Sequence, residues 1–425
     1  MKPSPYRVHA FVMKNGERYR ILVHSDTGLP VFYPNLYATT QIRCRSLSVK
    51  AMEGALASIN VLLSWCETNN VDLEDRFVKS NYLQRHELDS VRDYCQHSFA
   101  SSRRSPQSKV IDFTGKRTLL RERVKKDTEY KRLTYIAQYV EWLAHILATP
   151  PLRREQSDAI KLMKSGLDER RPTASGRNTV NDEKSLENHQ LEKLITIIDP
   201  LSDENPYRSS SVRIRNKLLF IMLLNLGVRI GELLSIRVRH IDWDKSTVMI
   251  ARQHDDKTDP RVNQPVAKTL DRILPMKASL TELIRGYIVK YRRHVRGARN
   301  HDFLFVTHKK GPTEGWPLSV SSAKKVIATI KSHDAELQGV HAHAFRHTWN
   351  YLFSESMDAA NPSPTLEEQD DQAKTRSYLQ GWKQGSGTAA RYNKRFIRQK
   401  SMDAALRLQN DIVNLDEVIR DVKRK

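Results

Sequence analysis

Residues 218–236 read LLFIMLLNLGVRIGELLSI, and this stretch decides the fold. The run 218–224 is apolar on every face. It is far shorter than the roughly 20 residues a bilayer crossing needs, so a buried core helix is expected here. Gly227 follows and suits a helix C-terminus, where glycine takes the left-handed conformation. Arg229 and Glu232 come next, three residues apart, and would face one side of a second helix whose apolar face is Leu233 and Ile236. On an open surface such an ion pair is worth little. Between a glycine and an apolar run it points to something buried.

Working outward, helices are expected at about 188–198 and 211–226. STVMIA (246–251) and DRILPM (271–276) read as strands flanking a long polar connection. Further helices are expected at about 279–297, 318–331, 343–355, 366–381 and 387–410. The polar stretch 168–184, DERRPTASGRNTVNDEK, reads as a linker. Upstream of it Met52, Leu56, Ile59 and Leu63 repeat at helical spacing behind Ser48, a suitable N-cap. Leu133, Ile136, Val140, Leu143 and Leu147 mark a second helix, closed by the prolines at 150 and 151. Alternation on both sides of Asn15-Gly16 predicts a β-hairpin over 6–24. The expected organisation is an N-terminal hairpin extension (1–45), a helical domain (46–166), a linker (167–186), a second domain (187–400) and a C-terminal helix (401–425). The fold class is mainly α with a small antiparallel β-sheet.

Composition narrows the partners. The chain has 425 residues, with 71 Lys and Arg against 49 Asp and Glu, a formal charge of +22. Such an excess calls for a polyanion, with nucleic acid ahead of an anionic membrane. The stretch 101–126 holds nine basic and two acidic residues. Arg103, Arg104, Lys109, Lys116 and Arg117 are its candidate phosphate contacts. Three cysteines with no CxxC pair argue against a disulfide framework and a cysteine zinc site, and fit a reducing cytoplasm. The opening MKPSPYRVHAFV lacks the apolar run of a signal peptide.

HAHAFRH (341–347) raises the question of a metal. His343 and His347 are spaced as zinc ligands can be, but the HExxH pattern is absent and Arg346 between them would repel a cation. Arginine instead presents a fork of donors matched to phosphate oxygens. Farther on, Tyr392 stands in a basic Gly/Ser-rich stretch, LQGWKQGSGTAARYNKRF (379–396).

In this order, GVRIGELLSI, a lysine, HAFRH, GW and a tyrosine, the set resembles the tyrosine recombinase (phage integrase) family. The resemblance spans about 210–395 and implies the family's two-domain architecture, with a helical core-binding domain ahead of a catalytic domain. It implies that Arg229 and Arg346 clamp a phosphate, with Glu232 and His347 in support. His343 would take or relay a proton and Trp382 would orient a phosphate oxygen through its N–H. Tyr392 would be the nucleophile. Lys268, seven residues ahead of Pro275, would protonate the leaving 5′-oxygen, and Lys257 is the runner-up because its acidic neighbours read as a solvated turn. The implied chemistry needs no cofactor and no metal, because preorganised guanidiniums neutralise the charge that develops on phosphorus oxygens.

The implied partners are double-stranded DNA, a homo-tetramer on paired sites, and accessory DNA-bending or partner recombinase proteins, with no membrane. The implied location is the cytoplasm, on the nucleoid. The stripe Met402, Ala405, Leu408, Ile412, Leu415 and Ile419 would dock on a neighbouring subunit. A type IB topoisomerase, a non-catalytic DNA-binding relative and a metal-dependent hydrolase are the competing readings.

Overall fold

The computed structural model describes residues 4–45, 48–99, 109–111, 117–119, 122–148, 151–173, 185–267, 269–362, 364–385 and 394–412. The chain divides into two compact units, Met1–Thr179 and Val180–Lys425. No helix among the described residues is long and apolar enough to cross a membrane.

The first unit opens with a hairpin, β1 (Tyr6–Val12) and β2 (Arg18–His24), paired antiparallel from Tyr6↔His24 to Val12↔Arg18. Its loop is closed by the Gly16 N–H, which donates to the Met13 carbonyl at 2.8 Å, and by Asn15, whose side chain accepts from Glu17 N at 2.9 Å. Helices α1 (Phe32–Tyr37), α2 (Val49–Asn69), α3 (Leu73–Val78), α4 (Arg85–Cys95), α5 (Lys126–Leu147) and α6 (Arg154–Glu169) follow. Ser48 caps α2 as its sequence predicts, accepting from Ala51 N. Met52, Leu56 and Ile59 of α2 meet Leu133, Ile136 and Val140 of α5, all fully buried. Tyr19 and Leu22 of the hairpin enter this same core. The basic stretch carries a short ribbon: β3 (Lys109–Ile111) pairs with β4 (Arg117–Leu119).

The second unit is built on α8 (Ser210–Leu226), preceded by α7 (Asn188–Ile198). Leu218, Leu219, Phe220, Met222 and Leu223 are wholly buried, as an all-apolar helix must be. The short helix α9 (Ile230–Leu233) leads into a three-stranded antiparallel sheet of order β5 (Ile241–Asp242), β6 (Thr247–Ile250), β7 (Arg272–Pro275). Then come α10 (Ala278–Lys290), α11 (Val320–His333), α12 (Ala344–Ala360), α13 (Leu366–Gln380) and α14 (Lys394–Ile412).

One expectation needs correction. The helix expected to run to residue 297 stops at Lys290, where Tyr291 leaves helical geometry at φ −127°. Arg292 turns inward instead and donates to the carbonyls of Phe303 and His301 at 2.9 and 2.8 Å. In β7 the register faces Arg272 and Leu274 inward and leaves Ile273 half exposed. A cation thus occupies a core position of the sheet.

Candidate active site

Four guanidinium and carboxylate groups from three distant stretches meet at Glu232. This residue sits in the first turn of α9 and reaches back to its N-cap, Arg229. The Arg229 backbone N–H donates to Glu232 Oε2 at 3.2 Å, and its Nη1 to Oε1 at 3.2 Å. Arg272 Nη2 donates to Oε2 at 2.8 Å, and the Thr269 hydroxyl to Oε1 at 2.8 Å. Arg346 Nη1 lies 4.0 Å from Oε2. The side chains of Glu232, Arg272 and Arg346 are fully buried, whereas Arg229 keeps 26% exposure. Burial alone would push the Glu232 carboxyl up, but the guanidiniums of Arg272, Arg346 and Arg229 outweigh it and hold the carboxyl below its usual range. Among the described residues, three positive groups face this one carboxylate.

The backbone around it is closely approached. Gly227 ends α8 at φ +60°, and a Cβ there would stand 2.6 Å from the Trp349 ring. Arg346 Nη1 donates to the Gly227 carbonyl at 2.9 Å and Nη2 to the Gln380 carbonyl at 2.8 Å. Its guanidinium lies 5.3 Å from the centroid of the buried Trp382 ring. Gly381, at φ +63°, lets the end of α13 press on β7, since a Cβ would meet Arg272 Nη1 at 2.7 Å. Arg346 and Trp382 are therefore brought to the Glu232 cluster from α12 and from the end of α13.

The three histidines separate. His343 is exposed at the start of α12, and His347 is partly buried, with the two rings edge to face at 5.1 Å. His341 is exposed and bonds the Gly339 carbonyl through Nδ1 at 2.8 Å. Lys268 and Tyr392 lie outside the described residues, as do Arg103, Arg104 and Lys116. Lys109 is in β3 opposite Leu119, and Arg117 is in β4 opposite Ile111.

Lys257 is exposed on a turn, but its acidic neighbours are not solvated. Asp256 pairs with buried Arg237, and Asp259 with buried Arg261 at 2.7 Å. The polar sequence DDKTDP hides this because Arg237 comes from an earlier stretch and nothing local shows that Arg261, two residues past Asp259, is buried. Sequence reasoning also passed over Arg272 and Thr269. Arg272 lies three residues ahead of Pro275, and nothing local marks it as inward-facing.

Residues 184–360 match the model of the phage integrase family. Over that segment the chain is similar to the phage integrase family. The family match holds Arg229, Glu232, Arg272, His343 and Arg346, and ends ahead of Trp382 and Tyr392. Among curated proteins the chain is 23% identical over 146 residues to tyrosine recombinase XerC of Staphylococcus epidermidis, covering 34% of this chain and 42% of that one. It is 29% identical over 151 residues to transposase A from transposon Tn554 of Staphylococcus aureus, covering 34% of this chain and 38% of that one. The matched region thus spans less than half the length of these relatives. A solved structure of XerH site-specific recombinase bound to a palindromic difH substrate aligns at TM-score 0.41 and 15% identity, over 88% of this chain and 93% of that one.

Proposed function

We propose that the protein is a site-specific DNA recombinase that cuts and rejoins strands through a covalent 3′-phosphotyrosyl intermediate, serving integration, excision or transposition of a mobile element. The observation that carries this reading is the charge excess at Glu232. Three guanidiniums on one buried carboxylate make a preorganised anion site, and a phosphodiester supplies the missing negative charge. The family match over 184–360 supports the same chemistry.

On this reading Arg229 and Arg346 hold the phosphoryl oxygens, and Glu232 with Arg272 fixes them in place. Tyr392 attacks phosphorus, the P–O5′ bond breaks, and its electron pair goes to the 5′-oxygen. His343 takes or relays the phenol proton, Lys268 gives one to the leaving oxygen, and Trp382 orients a phosphate oxygen. His347 buttresses the site from α12. The bonding of Thr269 to Glu232 favours Lys268 over Lys257, whose turn is tied down elsewhere. The basic ribbon would add phosphate contacts from the first unit, which serves as a core-binding domain. A working tetramer on paired duplex sites fits the exposed Met402, Ala405 and Leu408 of α14, which await a neighbouring subunit. The location on this reading is the cytoplasm, on nucleoid DNA.

The test is to trap protein–DNA adducts from fragmented genomic DNA in EDTA and sequence the attached DNA. A discrete recovered sequence is expected, and Tyr392→Phe is expected to abolish the adduct while DNA binding stays within about threefold. An adduct that persists in Tyr392→Phe moves the nucleophile elsewhere. An adduct that needs a divalent metal removes the mechanism.

A further inference from the structure

Arg346 donates to the carbonyls of Gly227 and Gln380, and the second of these acceptors has an anchorage of its own. Gln380 is the last residue of α13, Asn350 lies one turn past Arg346 on α12, and both are fully buried. Asn350 Nδ2 donates to the Arg346 carbonyl at 2.8 Å and to Gln380 Oε1 at 3.4 Å. Arg346 Nη2 donates to the Gln380 carbonyl at 2.8 Å. These bonds close a ring, from guanidinium to Gln380, from the Gln380 amide to Asn350, and from Asn350 back to the Arg346 backbone. The Gln380 amide also lies against Gly227, where a Cβ would stand 2.8 Å from Nε2. Gly227 is the other acceptor of the guanidinium, at 2.9 Å.

Among the described residues, Asn350 Oδ1 and Gln380 Nε2 are buried with no hydrogen-bond partner. Turning the Asn350 amide would set its oxygen against the Arg346 carbonyl, and turning Gln380 alone would set two donors face to face. A buried polar atom without a partner is destabilising, and an apolar pair of the same shape would avoid that penalty. Stability therefore does not account for two amides here. We propose that Asn350 and Gln380 are positioning residues for Arg346, holding the carbonyl that receives its guanidinium in register with the helix that carries it. This rests on the reading above, in which Arg346 holds a phosphoryl oxygen. A guanidinium fork meets phosphate oxygens in a fixed plane. Misplacement by about 1 Å is enough to cost roughly a hundredfold in rate. Neither amide touches phosphate on this account. Both act through Arg346.

The rival role is purely structural: the pair docks the end of α13 on α12. Two readouts separate the roles. Asn350→Leu together with Gln380→Met replaces both amides by apolar groups of similar shape, so a fold that needs only packing keeps its melting temperature. If the pair acts through the Arg346 fork, its loss shows in the rate. That loss then disappears once the fork is gone, because members of one network are not additive. Arg346→Lys removes the fork and keeps the charge. A ring also opens at its first broken bond, so either single substitution slows the reaction as much as both.

The experiment measures single-turnover adduct formation by the full chain on a synthetic duplex of the recovered cleavage sequence, with thermal melting of every variant. Gln380→Met, Asn350→Leu and the double variant are each expected to be slower than the parent by about tenfold or more, and within about threefold of one another. The double variant is expected to melt within about 3 °C of the parent. In an Arg346→Lys background the same three changes are expected to alter the rate by less than about threefold. Equal slowing in both backgrounds overturns the proposal, because the pair then acts on something other than the fork. An unchanged rate per folded molecule overturns it in favour of the structural role, whatever the melting temperature. The two single variants carry the same comparison should the double variant fail to fold. A parent protein that forms no adduct at all refutes the recombinase reading itself, a result distinct from the others.

Discussion

Two arginine clusters stand in the second unit, built from the same residue types and balanced in opposite ways. At Glu232, Arg229, Arg272 and Arg346 share one carboxylate. Around Phe303, Arg237 and Arg261 face three: Asp256 and Asp302 for the first, Asp259 for the second. Both of these guanidiniums also lie over the Phe303 ring, at 4.0 and 4.6 Å. Arg261 fills its other donors with the carbonyls of Leu234 and Leu318 at 3.1 and 2.8 Å. Burial works to lower the Arg237 basicity, but the hydrogen bonds it donates to Asp302 and Asp256 raise it overall. The compensated cluster has no charge left to offer and acts as a clamp on the β6–β7 connection. The other, among the described residues, sets three guanidiniums around one carboxylate, the excess on which the proposed phosphate site rests. On the proposed reading, what distinguishes a structural arginine from a ligand-holding one is the local count of carboxylates, which burial alone does not reveal.

The same substitution in each cluster is the sharpest way to break this contrast. Arg346→Lys keeps the charge but loses the fork that bonds Gly227 and Gln380. Adduct formation is expected to fall by about 10²–10³-fold, or roughly 3–4 kcal/mol of barrier, with a small change in melting temperature. Arg261→Lys is expected to lower stability and leave the rate per folded molecule within about tenfold. If the two variants exchange these outcomes, the division into clamp and site is wrong. Next in size, Asp259→Asn removes the carboxylate from a pair whose side chains are 5% and 0% exposed. Leaving Arg261 buried and unpaired is expected to cost about 3 kcal/mol in urea unfolding. A loss under about 0.5 kcal/mol would mean that the carbonyls and the Phe303 ring satisfy Arg261 unaided.

Much of the frame was legible. The all-apolar run of α8, the glycine that stops it and the i, i+3 spacing of Arg229 and Glu232 are local features, and local features survive in a sequence. So is the start of α12, expected at His343 and found at Ala344. The partners of Glu232 were only half legible. Arg346 announced itself through the resemblance, whereas Arg272 sits in a strand where Ile273 and Leu274 are both apolar, so alternation cannot say which face is inward. Pairing with β6 decides it, through Ile250↔Arg272. The inward-turned aspartates of the other cluster were misread for the same reason. A polar run looks solvated until the arginines that pair with it, Arg237 from an earlier stretch and Arg261 two residues past Asp259, are seen to be buried.

Arg215 offers a third balance. It is buried, and among the described residues its bonds run to neutral oxygens, Asn216 Oδ1 at 2.7 Å and the Val306 carbonyl at 3.3 Å. Burial lowers its own basicity, and its charge bears on His308 nearby. Burial first, and Arg215 second, depress the His308 imidazole to about 4, while its Nε2 bonds the buried Tyr287 hydroxyl at 3.0 Å. The consequence has a definite sign. Between the ordinary value of 6.5 and about 4 the unfolded chain binds a proton that the folded chain refuses. Stability is therefore full above the upper value, drains as pH falls through this window and is flat below it. The limit is about 3.4 kcal/mol for a shift of this size, and partial solvent access to the ring brings the expected loss to about 2 kcal/mol. Urea unfolding of the parent chain and of His308→Gln across this range measures it, with the variant expected to show the shallower slope. Equal slopes would mean that the imidazole is charged in the folded state. An uncompensated guanidinium would then lack the reach that the contrast between the two clusters assigns to it.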